Sequence, residues 1–101
     1  MARLDVWRAQ SSKTRGYLLE LQSDLHRTLD TRVVVPLLPR AALAPLNPLL
    51  NPSFDIEGQT WFLATQAIGS VRAARLSSKV GSLLEQEDAV IKAIDHLMLG
   101  S

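Results

Sequence analysis

All five prolines of this 101-residue chain lie between positions 36 and 52. At that density a regular helix or a central strand of any length is excluded, because proline lacks the backbone N–H and clashes with the preceding helical turn. The stretch is also rich in leucine and alanine, so it is too apolar for a flexible linker. It predicts an ordered loop laid over the core, with one short helical turn at Arg40–Leu43.

Short alternating or β-branched runs before the prolines predict three strands. The first holds Leu4 and Val6 among polar neighbours and is expected to keep one face in water. The second covers residues 17–21, and the polar stretch between the two predicts a long hairpin tip. The third, Arg32–Val35, has a β-branched run and is expected to stop at Pro36, which cannot donate to a ladder.

Two further runs follow the prolines. Residues 54–56 and 60–65 predict a pair of strands around Gly58, which suits a tight turn. Residues 71–76 give a weaker strand signal.

The last predicted element is a helix that starts at Ser82 and runs to the C-terminus. Ser82 and Glu85 have the spacing of a capping box, in which each side chain bonds a backbone N–H of the first turn. Gly100 is suited to ending the helix. Large apolar residues at helical spacing are expected to share its buried side: Val90, Ile91, Ile94, Leu97 and Met98. The fold class expected from these elements is mainly β with a C-terminal α-helix.

Length and composition indicate one globular domain, residues 1–101, with 47% hydrophobic and 21% charged residues. The formal net charge of +1 gives no strong attraction to nucleic acid or to a membrane surface. The absence of cysteine excludes a disulfide framework and thiolate metal ligands. The sequence shows neither an apolar leader core nor a run long enough to cross a bilayer, so a cytoplasmic protein is expected.

The residue types that carry catalysis form no familiar arrangement. His26 and His96 are far apart and lack the spacing of metal ligands. The glycines are scattered, and none of them forms a nucleotide fingerprint. We therefore expect no metal and no cofactor.

Two small charge clusters have structural explanations. Glu87 and Asp88 fall at the predicted start of the helix, where the helix dipole favours negative charge. Arg72, Arg75 and Lys79 form a basic run without interleaved aromatic residues, which is more typical of a solvated face than of a phosphate site.

The C-terminal end is apolar to within two residues of the last position. Leu97, Met98 and Leu99 point in adjacent directions around the predicted helix, so one narrow core cannot bury all three. Apolar patches on small proteins often mark interfaces. The excess is expected either at a homodimer contact or at a surface for a different protein.

A series of landmarks runs along nearly the whole chain. They are Gln22-Ser23-Asp24-Leu25, then Arg32-Val33-Val34-Val35-Pro36-Leu37, Leu46-Asn47-Pro48, a strand with Trp61, Thr65 leading towards Val71, a helix through Ala93-Ile94, and Gly100 one residue from the end. In the order of these pieces and in its length the chain resembles the CcdB family, the toxins of a class of type II toxin–antitoxin modules.

The resemblance implies an SH3-like β-barrel of antiparallel strands, shared with MazF-type ribonucleases, and a C-terminal helix. CcdB-like proteins form homodimers and are not enzymes. They bind the A subunit of DNA gyrase and trap the gyrase–DNA cleavage complex. A CcdA-like antitoxin neutralises the dimer and helps it to repress its own operon, so operator DNA is reached only through the antitoxin.

By position, the resemblance also implies a gyrase-binding surface with three parts. They are Ser23, Leu25 and His26 in the first cluster, Glu87 and Asp88 at the helix start, and Leu99, Gly100 and Ser101 at the end. Leu97 and Met98 are expected to serve packing and the dimer interface. Two helix ends on the two-fold axis would then form a symmetric wedge, in which Gly100 lets backbones approach closely.

Two alternatives remain open. A MazF-like endoribonuclease on the same barrel would need a basic groove, for which Arg15 and Arg32 beside Ser23 are the candidates. A degenerate toxin would retain only antitoxin binding and operon co-repression.

Overall fold

The computed structural model describes residues 4–9, 16–21, 30–43, 45–76 and 78–100. Within these ranges the chain forms one antiparallel sheet of seven strands and one α-helix. The elements are β1 (Asp5–Arg8), β2 (Tyr17–Glu20), β3 (Thr31–Leu38), β4 (Ser53–Ile56), β5 (Gln59–Leu63), β6 (Gly69–Arg72), β7 (Lys79–Ser82) and α1 (Glu87–Leu99). The sheet is a half-barrel, so the predicted fold, mainly antiparallel β with a single C-terminal helix, is confirmed.

β3 is the strand on which the sheet is built. The strand order is β4-β5-β3-β2-β1-β7, and β6 pairs with the first half of β3. On the same side, the second half of β3 pairs with β5 at Leu37 and Leu38. One long β-branched strand thus has β2 along one side and both β6 and β5 along the other.

Pro36 lies inside β3, so the expected stop at this residue is wrong. Its carbonyl accepts a hydrogen bond from the Ala64 N–H (2.8 Å), on the side of β3 away from β2. The amide and the carbonyl of one strand residue point to the same side, so the N–H that proline lacks would have faced the gap between β5 and β6. No ladder bond is lost there, and the strand continues to Leu38.

Each face of the sheet carries its own apolar cluster. Successive residues of a strand point to opposite faces. Val6 belongs to the larger cluster, to which α1 and the β4–β5 hairpin also contribute. Trp7 belongs to a smaller cluster with Val34 and Leu76. Both faces of β1 are therefore buried, and the water-exposed face expected for this strand is wrong.

Three charged side chains are buried on the face of the smaller cluster. The Asp5 carboxylate lies 3.3 Å from Lys79 Nζ. The Glu20 carboxylate accepts a hydrogen bond from the Trp7 indole (3.1 Å) and lies 3.2 Å from Arg32 Nε. Burial raises the pKa of Glu20, while the bond from Trp7 and the charge of Arg32 oppose that rise. All three are paired inside the protein, as buried charges require, and Asp5 is the one that the strand pattern placed in water.

The wing, our name for the β4–β5 hairpin, confirms the strand pair predicted around Gly58. Glu57 (φ 51) and Gly58 (φ 83) both have positive φ, as in the two-residue turn that fits the twist of a hairpin. At this tip the Glu57 carboxylate accepts hydrogen bonds from the Tyr17 hydroxyl (2.6 Å) and from Arg8 (3.2 Å). The Tyr17 ring meets Trp61 edge to face at 5.0 Å. The tip of the wing is thereby fastened to β1 and β2.

The proline-rich loop is ordered, and the predicted turn at Arg40–Leu43 is confirmed as a 3₁₀ turn. Asn51 fastens the end of the loop to the base of the wing, because its side-chain amide donates to the Leu63 carbonyl (2.9 Å) and to the Gln66 side chain (2.8 Å). Asn51 is itself buried. The wing is therefore held at its base as well as at its tip.

The segment after the wing differs most from prediction. β6 ends at Arg72 and a 3₁₀ turn covers Ala73–Arg75, so the strand predicted over residues 71–76 is wrong beyond Arg72. The turn brings Leu76 into the smaller cluster. β7 was not predicted, because Val80 is the one β-branched residue in it; it forms where β1 offers an unpaired edge.

The helix also begins later than predicted. Ser82 is the last residue of β7, and its hydroxyl accepts a hydrogen bond from the Leu84 N–H (3.1 Å). A 3₁₀ turn follows, and α1 begins at Glu87 without a side-chain cap. The predicted capping box is therefore wrong, because the sheet takes Ser82 as a strand residue.

Candidate partner-binding site

The C-terminal helix supplies most of the predicted site residues that the structure describes. Val90 and Ala93 are its buried residues, and both belong to the larger cluster. Ile94 packs partly against the same cluster. Gly100 ends the helix in the left-handed conformation (φ 73), as predicted.

Two residues expected on the buried side of α1 are exposed. Ile91 is 46% and Met98 is 70% exposed. The helix lies on the sheet through Val90 and Ala93, and the small side chain of Ala93 gave no apolar signal in the sequence. Ile91 and Met98 lie about 100° and 80° around the helix from Val90, beyond the reach of that contact. Their predicted burial is therefore wrong.

The two predicted parts of the helical surface share one face. Asp88 in the first turn and Leu99 in the last are 11 residues apart, which places them within about 20° of each other around the axis and about 16 Å apart along it. Asp95 lies between them on the same face. All three are exposed, Leu99 to 76%. The exposed Lys92 lies on this face too, about 40° around the axis from Asp88, so the face is a stripe of mixed charge that ends in an apolar residue.

Glu87 lies apart from that stripe. It is half-buried and about 100° around the helix from Asp88. Both carboxylates stand in the first turn, where the dipole favours negative charge. The first-turn position accounts for the charge of Glu87, and Asp88 is the more exposed of the two carboxylates.

A groove runs beside α1, between the helix and the proline-rich loop. Its volume is about 670 Å³, and its walls include Pro48 and Leu49 on the loop and Ala89 and His96 on the helix. Leu49 is 62% exposed, although the Asn47 side chain fixes its backbone by accepting its N–H (2.9 Å). The sequence did not predict Leu49 as a surface residue. Its exposure becomes evident only in the structure, where the Asn47 side chain holds the loop in place.

Several predicted residues lie outside the described part of the chain. Ser23, Leu25 and His26 of the first cluster are among them, and so is Ser101. Arg15, a candidate for the alternative ribonuclease site, also lies outside. Their roles stay predictions.

Arg32, the other basic candidate for a ribonuclease groove, is an interior residue. It is 1% exposed, its Nε lies 3.2 Å from Glu20, and its Nη1 donates to the Thr31 carbonyl (3.0 Å). A side chain held in this way cannot line an open groove for RNA. The described residues therefore offer no support for that alternative at Arg32.

Among the described residues, no group of three or more His, Asp or Glu side chains is arranged to hold a metal ion. No described helix has both the length and the apolar character needed to cross a membrane. The geometry on α1, an exposed charged stripe with apolar residues at its end, is suited to binding another protein surface.

Comparison with known protein families gives a match over nearly the whole chain. A family model described as "CcdB protein" matches residues 3–100. A comparison with curated proteins finds no significant match.

Proposed function

The chain belongs to the CcdB family of toxins from toxin–antitoxin modules, and on that premise we propose that it binds the A subunit of DNA gyrase and traps the gyrase–DNA cleavage complex. The effect would come from binding and not from catalysis. The partner-facing surface is the stripe of Asp88 and Leu99 with Gly100 at its end, completed by Ser23, Leu25, His26 and Ser101. Glu87 adds charge beside it.

The observation that carries this proposal is the exposure of Leu99 at the end of α1. A leucine that is 76% exposed contributes little to the core of its own chain. Burying it against a partner would contribute roughly 1.5–3 kcal/mol, since it is almost wholly in water beforehand. Its place at the end of a helix that is anchored by Val90 and Ala93 presents it on a rigid support.

The proposal includes a homodimer. Leu97 is half-buried and Met98 is 70% exposed, so both have apolar area left for a second copy. A two-fold axis near these residues would bring two Leu99 side chains together and make one symmetric surface. The antitoxin would bind the dimer, neutralise it and recruit it to the operator in the cytoplasm.

The test uses purified full-length protein, gyrase from the same host, supercoiled plasmid and ATP. We expect cleaved plasmid DNA to accumulate after protein denaturation, and we expect Leu99→Ala to lose most of this effect. The matched control is Leu84→Ala, which shortens another exposed leucine outside the proposed surface.

Intact plasmid with the wild-type protein would reject gyrase trapping. If the protein still bound its antitoxin, that result would favour the co-repressor alternative. Degradation of added RNA in the same reactions would favour the ribonuclease alternative.

A further inference from the structure

The groove beside α1 is continuous with the stripe of the helix that is proposed to face gyrase. Lys92 and Asp95 are exposed residues of that stripe, and both also line the groove. Gly100, which ends the proposed surface, lines the groove as well. The stripe is therefore one rim of the groove, and a protein that lies along the stripe also reaches the groove's opening.

The opposite rim is the proline-rich loop, which carries Leu49. The side chain of Leu49 is 62% exposed, and among the described large apolar residues only Met98 and Leu99 are more exposed. The core of the chain thus leaves most of the apolar area of Leu49 in water. Taking that area out of water against a partner is favourable in proportion to its size.

The backbone on both sides of Leu49 is held in one conformation. The Asn47 side chain accepts the Leu49 N–H (2.9 Å), and the Asn47 carbonyl accepts the N–H groups of Leu50 (3.1 Å) and Asn51 (2.8 Å). In return, the Asn51 side chain accepts the Asn47 N–H (3.0 Å). Pro48 restricts the chain further through its ring. Because a partner does not have to order this loop, binding at Leu49 loses less conformational entropy than binding at a flexible loop would.

The groove lies on the flank of α1 away from the proposed dimer contact. Its helix wall is centred on His96, and Met98 lies about 160° around the axis from that residue. A second copy packed on the exposed Met98 would therefore leave the groove open. This geometry favours a different protein as the occupant.

The size and lining of the groove indicate what kind of group it can accept. Its volume of about 670 Å³ lies within the range of clefts that take up a ligand, about 300–1,000 Å³. Pro48, Pro52 and Ala89 make much of its wall apolar. An apolar wall cannot satisfy the hydrogen bonds of a polar group taken out of water, so an apolar occupant is favoured over a charged one.

We propose that the groove receives an apolar segment of the A subunit of gyrase, and that Leu49 is a second apolar contact for that subunit beside Leu99. The inference rests on the proposed function, in which the A subunit lies along the stripe. It adds the proline-rich loop to a surface that the family resemblance placed on the first cluster and on the helix. The two exposed leucines would then hold the partner from the two rims of one groove.

The experiment measures the dissociation constant of the full chain for the purified A subunit of gyrase from the same host by isothermal titration calorimetry. Leu49→Ala should weaken binding at least about tenfold, and so should Leu49→Gln, which is polar. Leu49→Met keeps an apolar side chain of similar volume and should stay within about threefold of wild type. The matched control is Leu84→Ala, which shortens an exposed leucine in the turn before α1 and should bind as wild type does.

Unfolding temperatures within a few degrees of wild type would show that lost binding does not come from lost folding. Unchanged binding of Leu49→Ala beside weakened binding of Leu99→Ala would overturn this proposal and leave the proposed function standing. Undetectable binding of the wild-type chain to the A subunit would overturn both.

Two further measurements distinguish the other possible occupants of the groove. Loss of self-association in Leu49→Ala, measured by analytical ultracentrifugation, would assign the groove to a second copy. Loss of antitoxin binding with unchanged binding of the A subunit would assign it to the antitoxin. Either result would overturn the proposal.

Discussion

The wing and the end of the helix use apolar residues in opposite ways. In the wing, Phe54, Ile56, Trp61 and Leu63 are all buried in the larger cluster. Polar side chains then fasten both ends of the wing. At the end of α1, Met98 and Leu99 are the most exposed large apolar residues described, and no side chain fastens them.

The difference shows which part of the molecule contributes its apolar area to the core and which part leaves that area in water. The wing packs on the larger cluster and contacts β1 and β2 through the side chains of Arg8 and Tyr17. The last turn of α1 adds little to this packing, because Val90 and Ala93 already anchor the helix upstream. Five changes test this contrast, in order of their expected effect on stability.

The largest effect is expected from Trp61→Ala in the wing. Removing a buried aromatic side chain leaves a cavity and costs about 3–5 kcal/mol, and here it also removes the edge-to-face contact with Tyr17. The free energy of unfolding from urea titration measures the loss. Leu99→Ala, which shortens an exposed side chain, should lower the free energy of unfolding by less than about 0.5 kcal/mol. Similar losses for Trp61→Ala and Leu99→Ala would contradict the difference drawn between the wing and the helix end.

Asn51→Ala should give the next largest effect, because it releases the base of the wing. The variant leaves the buried Leu63 carbonyl without its donor, and an unsatisfied buried group costs about 1–3 kcal/mol. Hydrogen exchange should report it as faster exchange in β4 and β5. Gln66→Ala, which removes only an exposed acceptor of the same amide, should cost clearly less.

The tip of the wing should give a smaller effect that depends on pH. The bond from Tyr17 lowers the pKa of Glu57, with help from Arg8. A carboxyl whose pKa falls on folding contributes stability above its unfolded value, and that contribution is lost as pH falls through the folded value. Tyr17→Phe should therefore cost about 0.5–1.5 kcal/mol at neutral pH and lose less than wild type on acidification.

Glu57→Gln checks the same contact from the other side. Urea midpoints between about pH 3 and pH 6 should show a shallower acid decline than wild type, and the double variant should add little to either single one. An acid decline as steep as that of wild type in both single variants would contradict the assignment.

The smallest effect on stability, and the largest on activity, is expected from deleting residues 99–101. Thermal unfolding should stay within a few degrees of wild type, because only an exposed leucine and the end of the helix are lost. Plasmid cleavage with gyrase should be abolished. A large fall in the unfolding temperature would make this end structural and remove its place in the proposed surface.

Local chemistry predicted the features that depend on a few adjacent residues. Gly58 marked the hairpin turn, Gly100 marked the end of the helix, and proline density marked the ordered loop. β7 could not be predicted in this way, since it forms because β1 has an open edge and not because of its own residues. The burial of Asp5 and Trp7 was equally hidden, because it depends on a second cluster completed by the distant Leu76.

The candidate site was predictable in part for the same reason. The exposure of Leu99 followed from the apolar end of the chain, and Asp88 from the charge at the helix start. The exposure of Ile91 could not be predicted, because it depends on which side of the helix meets the sheet. The position of Leu49 beside the helix depends on bonds made by Asn47, which the sequence does not show.

Pro36 has a consequence for how the chain reaches this fold. On one edge, β3 pairs with both β5 and β6. A strand that shifted its register along this edge would reach Pro36, which has no backbone N–H to donate. Such a misaligned partner would lose a bond at that position, whereas β5 and β6, which stop on either side of it, lose none. Pro36 thus divides this edge of β3 into two pairing sites, and it disfavours a shift of β5 or β6 into the site of the other strand.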